Sequence, residues 1–131
     1  MSDWLYILKS TDTTMNGKLA TPGEVLDCAR AQPRGDWRLS RRRHMVGGDR
    51  IWIYFTSPYK VIAAMADVED EPQEVADPAY PWRFTAVLHL AATRALHDRP
   101  LPLSALSNRH PQGVVRVPEP DLTTLMAHAG L

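Results

Sequence analysis

Apolar and polar positions alternate most strictly from Arg50 to Thr56. Ile51, Ile53 and Phe55 fall on one face, and Trp52, Tyr54 and Thr56 on the other. This pattern predicts a strand. Gly47-Gly48-Asp49 before it reads as a turn. Ser57-Pro58-Tyr59-Lys60 after it reads as a hairpin connection to a return strand from Val61 to Val68, built largely of small apolar side chains. Trp4 to Lys9, rich in aromatic and branched residues, predicts an earlier strand. Ser10 to Lys18 is polar and carries the turn signal Asn16-Gly17. Thr21-Pro22-Gly23-Glu24 opens a helix: Thr21 suits the N-cap, Pro22 the first helical position, and Glu24 completes a capping box. Val25, Leu26 and Ala29 form its buried stripe, and Gln32-Pro33-Arg34-Gly35 ends it.

Trp37 to Ser40 reads as a short strand or extended loop, and the acidic, proline-punctuated stretch from Glu69 to Pro81 as a loop. From Trp82 to Leu90 the alternation returns and predicts a strand, after which Ala91 to Leu96 turns helical on propensity. Pro100 to Leu106 reads as a short helical turn and Arg109 to Gly113 as a loop before Val114 to Val117. Pro118-Glu119-Pro120-Asp121 starts a terminal helix that runs through His128 and stops at Gly130. Strands outnumber helices, and the order is not a βαβ repeat. The expected class is α+β: a small mixed β-barrel of about five or six strands flanked by short helices, one domain over residues 1–131.

Composition narrows the function. Fifteen basic and fifteen acidic side chains cancel, which argues against a protein that coats DNA by charge alone. The charge is unevenly placed, however. Arg34, Arg38, Arg41, Arg42, Arg43 and Arg50 lie close together, whereas Asp67, Glu69, Asp70, Glu71, Glu74 and Asp77 follow the next strand, so a neutral total conceals a basic face. A single cysteine, Cys28, excludes an internal disulfide and a cysteine-based zinc cluster, and is read as structural. The start has no secretory pattern and no run of apolar residues is long enough to span a bilayer, so the expected setting is the cytoplasm. The five histidines lack metal-ligand spacing, no Gly-x-Ser-x-Gly elbow is present, and Gly47-Gly48 precedes a strand rather than a phosphate-cradling helix. No catalytic residue, metal or cofactor is expected.

Several segments together resemble the EVE domain of the PUA-like superfamily, a relative of the YTH domains. Trp4-Leu5-Tyr6-Ile7-Leu8-Lys9-Ser10 is similar to the family's first strand. Trp37, six residues before Arg43, resembles its tryptophan ahead of a basic segment. Gly48-Asp49-Arg50-Ile51-Trp52-Ile53-Tyr54 resembles its Gly-Asp turn and following strand, and Val61 to Val68 its return strand. Pro100-Leu101-Pro102-Leu103 and His110 to Val117 resemble its later segments. The family's Lys-Ser-Glu-Pro opening is here Lys9-Ser10-Thr11-Asp12, a departure.

The resemblance implies a module that binds DNA or RNA and holds a modified base, such as a methylated one, in an aromatic cage. Trp37 and Tyr59 would stack on the base, Trp52 would add wall, and Ser40 would read its edge. Arg38, Arg41, Arg42 and Arg43 would hold phosphates. Each has a plainer reading: Trp37 and Trp52 as core residues, Tyr59 as turn packing, the arginines as a solvated face. Two other functions stay open. One is an ASCH-like amidohydrolase acting on a modified nucleoside, with Lys60 as base and Asp67 as its orienter. The other is a pocket for a small molecule or a protein partner.

Overall fold

The computed structural model describes residues 1–14 and 17–131, so Asn16 of the Asn16-Gly17 turn signal lies outside the described residues. Strand β1 (Asp3–Leu8) leads to helix α1 (Pro22–Ala31) and strand β2 (Arg34–Leu39). Strands β3 (Arg50–Phe55) and β4 (Val61–Val68) form the predicted hairpin. Two-residue β5 (Gln73–Glu74) precedes β6 (Trp82–Leu88), helix α2 (Leu90–Asp98) and two-residue β7 (Leu101–Pro102). Strand β8 (Val115–Arg116) and helix α3 (Glu119–His128) close the chain. The strands form one sheet in the order β2-β6-β4-β3-β1-β8, with β5 on β6 and β7 on β4. β1 runs parallel to β3 from Asp3↔Arg50 to Leu8↔Phe55, a pairing that the long crossover between them allows.

Both faces of the central strands are covered, so the Trp52 face of the Arg50 to Thr56 strand is a second buried layer. One core gathers Trp4, Tyr6, Leu8, Ile51, Ile53 and Phe55 with Val25, Cys28 and Ala29 of α1. The other gathers Leu5, Trp52, Tyr54, Ile62 and Met65 with Ala92 and Leu96 of α2 and Leu125 of α3. Alternation between large apolar side chains marks a strand buried on both sides, not one facing water.

Two buried carboxylates lock β1 onto β3. The Asp49 carboxylate accepts the Ser2 backbone N–H (2.8 Å), the Trp4 indole N–H (3.1 Å) and the Val46 backbone N–H (3.0 Å). The Asp3 carboxylate accepts Arg50 through Nε (2.8 Å) and Nη2 (3.2 Å), and also the Trp52 indole (2.7 Å). Thus the Gly-Asp-Arg turn and the opening Ser-Asp-Trp recognise each other, through Asp49 and Arg50 on one side and Ser2, Asp3 and Trp4 on the other. The glycines make room: a Cβ at Gly47 would sit 2.5 Å from the Glu69 carbonyl oxygen, and Gly48 has φ +93°.

Two strand boundaries and two short added strands differ from the sequence reading. β2 starts at Arg34 and spans six residues, because its ladder with β6 runs from Arg34↔Val87 to Leu39↔Trp82. β6 stops at Leu88, and His89 becomes the cap of α2, its Nδ1 accepting the Ala92 N–H at 3.1 Å. The acidic stretch contains β5, and Pro100 to Leu106 holds β7 followed by a 3-10 turn over Leu103–Ala105. Helix α1 begins as predicted, with the Glu24 N–H donating to Thr21 Oγ1 at 3.1 Å. No described helix is long and apolar enough to cross a membrane.

Candidate functional site

β1 and β2 stand far apart in the strand order, yet the sheet curls until they face each other. The Tyr6 hydroxyl donates to the Arg38 carbonyl at 2.7 Å, and the Tyr6 ring meets Trp37 edge-to-face with centroids 5.2 Å apart. No ladder joins the two strands among the described residues. The seam so left open holds a cavity of ≈ 490 Å³.

Its walls come from both strands and from several other segments. Tyr6, Leu8 and Lys9 line one side, and Trp37, Leu39 and Ser40 the other. Ala20, Val25 and Cys28 form an apolar floor, Tyr80 and Asp12 lie on the rim, and Pro111 to Val114 complete the ring. Burial pushes the Tyr6 hydroxyl well above the usual phenol range, so it is a neutral donor. Burial likewise raises the Cys28 thiol. Trp37 is half-buried, and its indole N–H is enclosed without a hydrogen-bond partner.

Tyr80 reaches the cavity from the acidic loop because Asp77 folds that loop back. The Asp77 carboxylate accepts the N–H groups of Tyr80 (3.1 Å) and Ala79 (3.0 Å) and Arg83 Nη2 (3.3 Å). The Tyr80 N–H foremost, then that of Ala79, with Arg83 adding less, hold its pKa below the usual carboxylate value. A depressed pKa means that the folded loop is favoured above the ordinary carboxylate pKa and loses that support as pH falls through the lowered value. Amide exchange at Ala79 and Tyr80 is therefore expected to quicken on acidification into that range, relative to other loop amides. In Asp77→Asn the extra acid sensitivity should be gone.

Of the residues expected from sequence, Trp37, Ser40 and Arg38 meet at the cavity. Arg41 and Arg42 follow Ser40 and are exposed, with the Arg42 guanidinium 5.2 Å from the Trp82 ring centre. Arg43 is a correction. It turns inward, donating from Nε to the Val114 carbonyl at 2.7 Å and from Nη1 to the Arg42 carbonyl at 3.3 Å. It clasps the Pro111 to Val114 wall, its Nε and Nη1 engaged with backbone carbonyls. Trp52 is also a correction: it is fully buried in the other core, its indole bound to Asp3. Tyr59 is a third, packed edge-to-face on Phe55 (6.5 Å) beside a separate hollow formed with Pro22, Val61, His97 and Pro100. The strand face and the turn are read correctly; Trp52 is separated from Trp37 because it projects into the core on the opposite face of the sheet, and Tyr59 because its turn borders a different hollow.

Lys60 immediately precedes β4 and Asp67 lies near its far end, roughly 20 Å away at ~3.3 Å per residue, and neither lines the cavity. They cannot act as base and orienter on one substrate. Sequence reasoning missed Tyr6, Tyr80 and Gln112 as cavity residues. Tyr6 shares the face of Trp4 and Leu8 and reads as core, and Gln112 carries no local signal. Tyr80 is the one aromatic in the acidic loop, a usable hint.

No protein-family model matches the chain, and no curated protein matches it. Solved structures do. The chain is similar to human THYN1 protein in complex with 5-methylcytosine-containing DNA, with a TM-score of 0.65 and 13% identity over 100% of this chain and 99% of that one. It is also similar to protein Atu2648 from Agrobacterium tumefaciens (TM-score 0.64, 15% identity, 100% and 94% of the two chains). A third likeness is to ASCH from Zymomonas mobilis (TM-score 0.56, 16% identity, 96% and 94%). At such identities the likeness is one of fold. The curled mixed sheet with its flanking helices is the fold that the chain shares with these proteins, and it is the small mixed barrel expected from the sequence.

Proposed function

We propose that this PUA-like barrel is a non-catalytic nucleic-acid-binding module, acting as one domain in the cytoplasm, that takes a single modified base into the seam between β1 and β2. The carrying observation is the cavity. At ≈ 490 Å³ it falls in the ~300–1,000 Å³ range of small-ligand sites, with an aromatic wall, an apolar floor and a polar mouth. A base inside a duplex cannot reach such a seam, so it enters from a single strand or by flipping out of the stack. Trp37 supplies the stacking wall. Ser40, Gln112 and nearby backbone supply edge contacts, and exposed Arg41 and Arg42 stand next in the chain for the phosphates. The DNA in the similar THYN1 structure, which contains 5-methylcytosine, supports a methylated base as the ligand.

An added methyl buries apolar surface, ~0.8 kcal/mol for a group of that size, so its expected discrimination is modest. Oligonucleotides with one 5-methylcytosine or one cytosine, as DNA and as RNA, are the test. Both should bind, and the methylated strand should bind several-fold to about a hundredfold more tightly. Equal affinities would remove the modified-base reading; no binding by any strand would remove the nucleic-acid reading.

The ASCH-like amidohydrolase reading shares the fold but lacks a paired base and orienter at Lys60 and Asp67. Release of free amine or acid from acylated nucleosides by the purified protein would revive it.

A further inference from the structure

Arg38 and Arg83 stand directly opposite each other across the β2–β6 ladder. Side chains so placed have Cβ atoms ~4.5–5.5 Å apart, and like charges there repel. Both side chains are 37% exposed. Their carboxylate partners compensate only loosely. Asp12 lies 3.7 Å from Arg38, beyond hydrogen-bond reach, and Asp77 meets Arg83 at 3.3 Å while also accepting two backbone N–H groups. Arg83 Nε is buried without a partner. The Arg38 guanidinium lies over the Tyr80 ring, 4.6 Å from its centre, and donates no hydrogen bond among the described residues. Two adjacent forks with unused donors, one preset by an aromatic face, suit a tetrahedral anion.

We infer that Arg38 and Arg83 form one anion site, filled by a backbone phosphodiester of the strand whose base occupies the cavity. This rests on the proposed base-binding reading, since Arg38 and Tyr80 belong both to the cavity lining and to the anion site. It extends the basic face to a residue far downstream of the arginine run. It also names the ligand class as a polynucleotide, because a free nucleoside has no phosphodiester to offer.

The test is the salt dependence of affinity for a methylated oligonucleotide, beside the affinity for free 5-methyldeoxycytidine, in wild type and Arg83→Gln. The variant is expected to lose about fivefold or more in oligonucleotide affinity at low salt. Its log–log salt slope should shrink by about one, and nucleoside affinity and thermal stability should hold. An unchanged slope, or an equal loss for nucleoside and oligonucleotide, overturns the anion site. If wild type binds the nucleoside but the oligonucleotide no better, the anion site fails and the cavity stands. If neither binds, both readings fall.

Discussion

Asp49→Ala is expected to remove roughly 3–5 kcal/mol of stability, a large part of what a domain of this size has. The substitution leaves the N–H groups of Ser2, Trp4 and Val46 facing a buried gap, and each stranded donor costs on the order of 1–3 kcal/mol. The loss reaches the site as well, since β1 carries the Tyr6 and Leu8 walls. Asp49→Asn keeps the volume but turns an NH₂ toward one of the donors, so it should fall between wild type and alanine. Urea unfolding of the three proteins measures this. A loss below about 1 kcal/mol for the alanine variant would mean that the Gly-Asp-Arg turn does not set the β1–β3 register.

Trp37→Ala is expected to leave a folded protein whose affinity for a methylated oligonucleotide is about 5- to 150-fold weaker, the effect of ~1–3 kcal/mol per stacked base. Trp37 is half-buried at the seam, and its indole N–H has no partner to lose. Trp52→Phe makes the contrast. It breaks the bond to Asp3 in the other core and should lower stability while the folded fraction binds as wild type does. Titrations of both variants, corrected for the folded fraction, separate the two tryptophans. If Trp37→Ala binds as wild type does, the stacking wall has been misassigned.

The strands and helices were legible because local pattern determines them: the Arg50 to Thr56 alternation, the Thr21-Pro22 cap, the Gly48 turn. The bonds of Asp49 and Asp3 across the β1–β3 pair were not, because they bridge more than forty residues. The site was legible where function and local order coincide, at Trp37, Arg38 and Ser40. It was illegible where curling of the sheet decides what meets what. Alternation placed Trp52 and Tyr54 on a common face, but only the packing of α2 and α3 shows that this face is core. Tyr59 and Trp37 are both near arginines or turns in sequence, yet they border different hollows. The basic run likewise divides by neighbour: Arg43 reaches the Val114 carbonyl, whereas Arg41 and Arg42 face solvent.

The central claim is that a base enters the β1–β2 seam, and the four tryptophan indole N–H signals in a proton–nitrogen correlation spectrum report on it directly. Those of Trp4 and Trp52 are bound to Asp49 and Asp3 in the cores, and that of Trp37 is enclosed on a ring that lines the cavity. Addition of a methylated oligonucleotide is expected to shift the Trp37 indole strongly, with the Trp4 and Trp52 signals unmoved. Saturable binding that leaves the Trp37 signal in place would contradict the claim and put the nucleic acid elsewhere on the barrel.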